Sequence, residues 1–208
     1  MRLIIVRHGE TTANLERTLQ GHSQNPLSER GRTQARHLGE RLLGEGIERM
    51  YSSDLCRAIE TAEIIAESID LPIELTPALK ERSYGNFEGQ AYDIYDSAVD
   101  QSGLARHLFC PENGENLEQV EARLSEFIDH ILVAHPEETV LLVAHAGANR
   151  LLIKCLLKKS FDGWVPFDQD NACINIFDIA APREVQPILV NCTNHLDSVG
   201  FQSWKAYE

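Results

Sequence analysis

Two histidines follow apolar, β-branched segments in this 208-residue chain. His8 comes directly after Arg7 at the end of residues 3–6, and His145 follows residues 141–144. Short apolar runs of this kind are typical of buried strands, and parallel α/β sheets bind ligands at the carboxyl ends of their strands. Either histidine alone would more often be structural, but two at equivalent strand ends favour a functional role. If the two strands are neighbours, we expect both imidazoles to line one crevice.

The residue types around His8 favour chemistry on a phosphate group. A phosphoryl group in transfer carries negative charge on its equatorial oxygens and needs fixed donors around it. Arg7 is adjacent to His8, Arg57 falls in the first turn of a predicted helix, and Asn14 could add a neutral donor, as could the backbone around Gly9. Neutral imidazole is a nucleophile toward phosphorus, and flanking arginines favour that neutral form by repelling a second positive charge.

The leaving group of such a transfer needs a proton. Glu81 lies where a loop could bring its carboxyl group over the phosphate, first as an acid and then as the base for an attacking water. Composition does not single it out, because a surface salt bridge with Lys80 or Arg82 is the ordinary role of such a glutamate.

Alternating segments predict the fold that must position these groups. Ser28 is expected to cap one helix that ends near Gly44 and Gly46, and Asp54 to cap a second that closes at Pro72. Further strands are predicted at 47–52, 174–179 and 187–191, and further helices from 117 and 151. We therefore expect an α/β protein, a three-layer α/β/α sandwich with a mostly parallel central sheet. Residues 1–208 are expected to form a single domain, with an irregular insertion at about 88–116 over the edge of the sheet.

Charge and cysteine content limit the partners and the compartment. Nineteen basic residues against 32 acidic ones leave a formal net charge of −13, which argues against nucleic acid or an anionic membrane as a partner. No apolar run approaches the roughly 20 residues of a membrane span. The five cysteines form no C-x-x-C pair, which favours reduced thiols over disulfides or zinc and predicts a cytoplasmic protein.

Six groups of residues occur in the order typical of one protein family. They are Arg-His-Gly-Glu-Thr at 7–11 with Asn14, Gln-Gly at 20–21 with Pro-Leu-Ser-Glu-Arg-Gly at 26–31, Ser-Ser-Asp-Leu-Cys-Arg-Ala-Ile-Glu-Thr-Ala at 52–62, Glu-Arg-Ser-Tyr-Gly at 81–85 with Glu-Gly at 88–89, Asn-Gly-Glu-Asn at 113–116, and Val-Ala-His-Ala-Gly at 143–147. Together they resemble the histidine phosphatase family, in the branch that contains cofactor-dependent phosphoglycerate mutase and its phosphatase relatives. The resemblance covers most of the chain.

This resemblance implies a role for each matching residue. His8 would be the phosphorylated nucleophile and Glu81 the general acid and base. The resemblance implies that three side chains hold the phosphate, namely Arg7, Arg57 and His145. Assisting groups and contacts to the rest of the substrate would come from Asn14, the backbone of Ala146, Gln20 and Gly21. No metal ion or other cofactor is implied, because two arginines and a histidine can supply the positive charge.

Two positions depart from the usual family pattern. Ala13 stands where many relatives have a large aromatic residue, which would reshape the mouth of the pocket, and Ala146 stands where many have glycine. The secreted acid-phosphatase branch takes its acid from a His-Asp pair, and no such dipeptide occurs here. The resemblance therefore favours the smaller, intracellular branch.

Three functions fit this resemblance. A phosphatase lets water hydrolyse the phosphohistidine, a mutase returns the phosphoryl group to its substrate, and a binding module would have lost His8 or Glu81. Mutases of the family carry a longer basic insertion, whereas residues 90–113 contain Arg106 alone as a base. We therefore expect a phosphatase that acts on a small-molecule phosphate ester. An exposed edge strand could also pair two chains into a homodimer.

Two further features stay open at this point. The aromatic residues Tyr84, Phe87, Tyr92 and Tyr95 could line the pocket or belong to the core. We interpret His195 as structural, because no partner for it can be assigned from the sequence.

Overall fold

Six strands form one mixed sheet in the computed structural model, which describes residues 1–160, 168–181 and 183–199. The strands are β1 (Arg2–Arg7), β2 (Arg49–Ser53), β3 (Glu74–Thr76), β4 (Thr139–Ala144), β5 (Ile174–Ala180) and β6 (Glu184–Cys192). Their order across the sheet is β3-β2-β4-β1-β5-β6. The strands β3, β2, β4 and β1 pair in parallel, and β5 runs antiparallel to its neighbours β1 and β6. The predicted mostly parallel sheet is confirmed.

The two strands that carry the histidines are direct neighbours. β1 and β4 pair in parallel, with Arg7 opposite Ala144 at their carboxyl ends. The main-chain N–H of His8 donates to the carbonyl oxygen of Ala144 at 3.0 Å. The condition for a shared crevice is therefore met, and His8 and His145 leave the sheet side by side.

Helices cover both faces of the sheet. They are α1 (Thr12–Leu15), α2 (Glu29–Leu42), α3 (Cys56–Ile69), α4 (Tyr92–Ser102), α5 (Leu117–Ala134) and α6 (Ala146–Leu156). One face, with Leu3 and Leu142, packs against α5 and α6, and the other, with Ile4 and Leu141, packs against α2 and α3. These layers form the predicted three-layer sandwich. Within the described ranges, no helix is long and apolar enough to cross a membrane.

One of the two predicted helix caps is correct. Ser28 caps α2, since its Oγ accepts the N–H of Gly31 at 3.0 Å. Asp54 does not cap α3, which has Leu55 at its N-cap position and no capping side chain. The carboxylate of Asp54 instead lies 3.3 Å from Nζ of Lys80, so a tertiary ion pair takes the place of the expected local cap.

The region at 88–116 is more regular than expected. It contains helix α4, which buries Tyr95 and Val99 and ends at Gly103 with a φ of +66°. The sequence pattern missed this helix because only a few of its side chains are apolar, and a narrow apolar stripe gives little periodic signal.

His195 gives the fold a dependence on pH. It lies in the 3-10 helix Asn194–Val199, and both of its ring nitrogens are buried. Burial, followed by the positive charge of Arg41, lowers the pKa of His195 to about 4. Because the unfolded chain keeps a histidine pKa of about 6.5, it binds a proton first as the pH falls.

We therefore expect the free energy of unfolding to fall as the pH drops from 6.5 toward 4. The His195 contribution between pH 7.5 and pH 5 should be about 1 kcal/mol, since the ring is partly exposed to solvent. Urea denaturation of the wild type and His195→Leu at both pH values measures it, and the variant should show the shallower loss. The histidines His8 and His145 titrate in both proteins, so their contribution cancels in the comparison. Equal losses in the two proteins would contradict the prediction.

Candidate active site

His8 is held as a neutral imidazole with one nitrogen available. The side chain is 2% exposed, and its Nδ1 lies 2.7 Å from the carbonyl oxygen of Gly9. Because a carbonyl oxygen only accepts, Nδ1 carries the hydrogen and the lone pair is on Nε2. Burial lowers the pKa of His8 well below its usual value, and the charges of Arg57 and Arg7 lower it further. The geometry thus leaves Nε2 unprotonated at neutral pH, with a free lone pair.

Two arginines lie close enough to this imidazole for their charges to act on it, and Arg57 is the buried one of the two. Arg57, 1% exposed on α3, donates from Nη1 to the Ser23 carbonyl at 3.0 Å and from Nη2 to the Gly21 carbonyl at 2.8 Å. Arg7 donates from Nη1 to the carbonyl of Gln169 at 2.6 Å. The Nε of each arginine is buried without a partner in the described part of the chain.

Burial lowers the pKa of both arginines. That of Arg57 falls to about 10, and the direction is the same for Arg7. Both guanidinium groups therefore stay charged at neutral pH. In each arginine, one or both terminal nitrogens donate to main-chain carbonyls, and the Nε–H is left to donate to a bound anion.

His145 shares the crevice with His8, as predicted. The two ring centroids are 5.2 Å apart, and His145 is the N-cap residue of α6. Its Nε2 lies 2.8 Å from Oγ of Ser53, which also accepts the N–H of Leu55. The Ser53 hydroxyl can then donate a hydrogen bond to Nε2, so the ring hydrogen of His145 is on Nδ1. This Nδ1 is buried without a partner among the described residues. Burial and the Arg57 charge lower the pKa of His145 well below its usual value.

Glu81 lies at the N-terminus of α6. Its Oε2 accepts the N–H of Gly147 at 2.9 Å, and its Oε1 accepts those of Ala148 at 3.2 Å and Arg82 at 2.9 Å. Glu81 does not form the salt bridge with Lys80 or Arg82 that is ordinary for such a glutamate. Lys80 pairs with Asp54 instead, and the Arg82 guanidinium donates to main-chain carbonyls at Glu115 and Phe109.

Gly147 leaves the space that this carboxylate occupies. A Cβ built at position 147 would overlap Oε1 of Glu81. Gly147→Ala is therefore expected to displace the Glu81 carboxyl group and lower kcat/KM by about 10- to 100-fold, since small misplacements of reacting groups are costly. Steady-state hydrolysis of a phosphate monoester measures the loss.

Glu81→Gln provides the reference for the Gly147 variant. In that background, Gly147→Ala should lower kcat/KM by less than about threefold, because the two changes act on the same group. If the losses in kcat/KM of the two variants multiply in the double variant, Gly147→Ala does not act through Glu81.

The remaining predicted binding residues surround the same crevice. Asn14 belongs to α1, and its Oδ1 accepts the N–H of Thr11 at 3.1 Å. Gln20 is 7% exposed, with a buried Oε1 that has no partner within the described ranges. Gly21 has a φ of +49°, and its carbonyl holds Arg57. Ala146 is the first residue of α6.

Glu10, the last residue of the Arg-His-Gly-Glu segment, faces away from the phosphate crevice. Its carboxylate accepts the hydroxyl of Ser28 at 2.9 Å, and its N–H donates to Gln34 at 2.8 Å. Glu10 therefore fastens the loop after β1 to helix α2.

Three of the four aromatic residues form a satellite core. Tyr84, Phe87 and Tyr95 pack with Leu19, Val99 and Phe109. The Arg82 guanidinium lies 5.4 Å from the Tyr84 ring centroid. Tyr92 is 46% exposed and outside this cluster.

Sequence reasoning assigned no role to several residues that support the site. Thr61 accepts the N–H of Gly9 at 3.1 Å and donates to the carbonyl of Arg57, which joins α3 to the loop after β1. Asn171 donates to the carbonyl of His8 at 3.2 Å. The six family-like groups include Thr61 but not Asn171, and no local pattern marks either contact.

The arrangement can bind a phosphate dianion without a metal ligand set. In the part of the chain that the structure describes, no group of three or more histidine, cysteine, aspartate or glutamate side chains is arranged to hold a metal ion. The positive charge comes from Arg7 and Arg57, with neutral donors from His145 and the N-terminus of α6.

The family follows from comparison with known proteins. The model of the histidine phosphatase superfamily, branch 1, matches residues 3–191. The chain belongs to this superfamily. It is 31% identical over 184 residues to the adenosylcobalamin/alpha-ribazole phosphatase of Escherichia coli strain K12, which covers 86% of this chain and 90% of that protein.

Other members of the superfamily are also similar to this chain. The chain is 34% identical over 165 residues to the 2,3-bisphosphoglycerate-dependent phosphoglycerate mutase of Bartonella henselae, which covers 74% of this chain and 80% of that protein. The alpha-ribazole phosphatase structure from Shigella flexneri has a TM-score of 0.84 and 28% identity, covering 92% of this chain and 96% of that one. The predicted family and fold are thus confirmed, and this histidine phosphatase superfamily member has phosphatase and mutase relatives.

Proposed function

We propose that the protein hydrolyses phosphomonoesters of small metabolites through a phosphohistidine at Nε2 of His8. The observation that carries the proposal is the hydrogen bond from Nδ1 to the Gly9 carbonyl, which leaves a neutral Nε2 lone pair within reach of the charges of Arg57 and Arg7. Arg7, Arg57 and His145 bind the phosphoryl oxygens. Asn14 and the Ala146 N–H assist, while Gln20 and Gly21 contact the rest of the substrate.

Glu81 moves the protons in both half-reactions. Nε2 of His8 attacks phosphorus, the bond from phosphorus to the ester oxygen breaks, and that oxygen takes the proton of the Glu81 carboxyl group. Water then attacks the phosphohistidine and gives a proton to the Glu81 carboxylate. The bond from phosphorus to nitrogen breaks, inorganic phosphate leaves, and Glu81 is protonated again.

The region that distinguishes mutases supports hydrolysis. Arg106, the single base between Gly89 and Gly114, donates to Asp96 at 2.7 Å, so its charge is already paired. A doubly anionic substrate would gain little there. The intact pair of His8 and Glu81 also favours catalysis over binding alone. Since two arginines and a histidine supply the charge, we propose that neither a metal ion nor another cofactor takes part.

The five cysteines support a reducing compartment. All five are free thiols, which is the usual state of cysteine in the cytoplasm. We therefore propose a cytoplasmic enzyme whose partner is a small-molecule phosphate ester.

Turnover of p-nitrophenyl phosphate in the presence of EDTA tests the activity. We expect hydrolysis that EDTA leaves unchanged. A panel of phosphoserine, α-ribazole phosphate, phosphoglycerates and sugar phosphates, compared by kcat/KM, then ranks the substrates. Isomerisation of phosphoglycerate primed by 2,3-bisphosphoglycerate that is far faster than any hydrolysis would establish the mutase instead. Inactivity across the whole panel would favour a binding module.

A further inference from the structure

The segment directly before β5 contacts Arg7 and His8. We call residues 169–173 the backing segment. Its Gln169 carbonyl accepts from Nη1 of Arg7, and its Ala172 N–H donates to the His8 carbonyl at 3.1 Å. The Cys173 carbonyl accepts the Arg7 N–H at 3.3 Å. The end of β1, with the nucleophile, is therefore bonded to this segment at both its backbone and its side chain.

Asn171 is the residue of the backing segment whose side chain bonds both His8 and Asn14. It is 2% exposed, and its Nδ2 donates both to the His8 carbonyl at 3.2 Å and to Oδ1 of Asn14 at 3.1 Å. The His8 carbonyl can only accept, so the amide nitrogen of Asn171 must face it. A single NH₂ group thus joins the main chain of the nucleophile to the side chain of Asn14.

The orientation of Asn14 is set in the same way. Its Oδ1 accepts from the Thr11 N–H, which can only donate, and from the Thr11 hydroxyl at 3.0 Å, in addition to Asn171. With three donors on the oxygen, the Nδ2 donors of Asn14 point to the other side of the amide. Thr11 belongs to the same short segment as Asn14, so it fixes the orientation of the amide but not its distance from His8.

We propose that Asn171 is a positioning residue that holds the amide donor of Asn14 at a fixed distance from the nucleophile. The inference rests on the proposed function, in which Asn14 donates to the transferring phosphoryl group. Helix α1 has four residues and little packing of its own, since Ala13 is its one buried residue. The two bonds from Asn171 join this helix to the main chain of His8, directly after β1. Without these bonds, Asn14 would keep its orientation toward Thr11, but its distance from Nε2 of His8 would no longer be fixed.

A double-mutant cycle between Asn171 and Asn14 tests this role. Asn171→Ala and Asn14→Ala are each expected to lower kcat/KM by about 10- to 30-fold and to raise the inhibition constant of inorganic phosphate several-fold. The double variant should resemble the single ones to within about threefold, because both substitutions remove the same contact with phosphate. Effects that multiply would overturn the proposal and make Asn171 merely structural.

Asn175 is a matched control for a structural effect. It is also a buried asparagine whose Nδ2 donates to a main-chain carbonyl, that of Ile5 in β1 at 2.9 Å, and it bonds Gln169 rather than Asn14. Asn175→Ala is expected to lower the thermal midpoint, and its effect on kcat/KM should multiply with that of Asn14→Ala. Coupling of similar size for Asn175 would count against a specific role for Asn171.

Detection of phosphohistidine separates this inference from the function on which it rests. If the wild type forms phosphohistidine at His8 and Asn171→Ala keeps kcat/KM to within about twofold, the positioning role is wrong while the proposed function stands. If the wild type forms no phosphohistidine, the proposed function itself fails.

Discussion

Replacement of His8 by alanine is expected to lower kcat/KM for p-nitrophenyl phosphate by about 10⁴-fold. The substitution removes the Nε2 lone pair, which no other described side chain of the crevice replaces in kind. His145 has its Nε2 bonded to Ser53, and Glu81 is bound to the N-terminus of α6. Steady-state hydrolysis over a range of enzyme concentrations measures the loss.

Phosphate binding provides the control for the His8 variant. Arg7 and Arg57 keep their main-chain partners when His8 is truncated, so the inhibition constant for inorganic phosphate should stay within about tenfold of the wild type. That result would show that the pocket is intact and that only the nucleophile is missing. Hydrolysis within about tenfold of the wild-type rate would exclude His8 as the nucleophile.

Replacement of Glu81 by glutamine is expected to separate the two half-reactions. An alkyl phosphate has a poor leaving group that needs the Glu81 proton, so its kcat should fall by about 10³-fold. The p-nitrophenolate group leaves without a proton, and its release should be affected much less. Attack of water on the phosphohistidine still needs a base, and this second step should become rate-limiting for p-nitrophenyl phosphate.

A rapid-mixing experiment detects that change. Glu81→Gln should release one equivalent of p-nitrophenol per active site in a burst, followed by slow turnover. The alkyl phosphate should show no burst with the same variant. Equal losses for both substrates, without a burst, would contradict proton transfer by Glu81.

The positions of the two histidines could be predicted from the sequence because local patterns determine them. Each follows a continuous apolar run, and such runs form buried strands, whereas the pairing of β1 with β4 could only be assumed. The cap at Ser28 was likewise local, since its hydroxyl bonds a backbone N–H three residues away. Arg57 lies in the first turn of α3 as predicted, although Asp54 pairs with Lys80 instead of capping that helix.

Other parts of the site depend on contacts between distant residues, which no local pattern encodes. Glu81 meets Gly147, 66 positions away, and composition gave it only the ordinary role of a surface ion pair. Asn171 meets His8 across 163 positions. Family resemblance implied a role for Glu81, whereas Asn171 lies outside the six matching groups. Strand β3 was missed for a different reason, since it has only three residues and two of them are exposed.

The central claim is that the phosphoryl group is carried by Nε2 of His8, and chemical trapping tests it most directly. Glu81→Gln is mixed with p-nitrophenyl phosphate, quenched in alkali, where phosphohistidine survives, and digested for mass spectrometry. We predict one added phosphoryl group on the peptide that contains His8, located on that histidine and absent from the His8→Ala protein. A phosphoryl group on another residue, or hydrolysis with no phosphorylated peptide during the burst, would contradict the account.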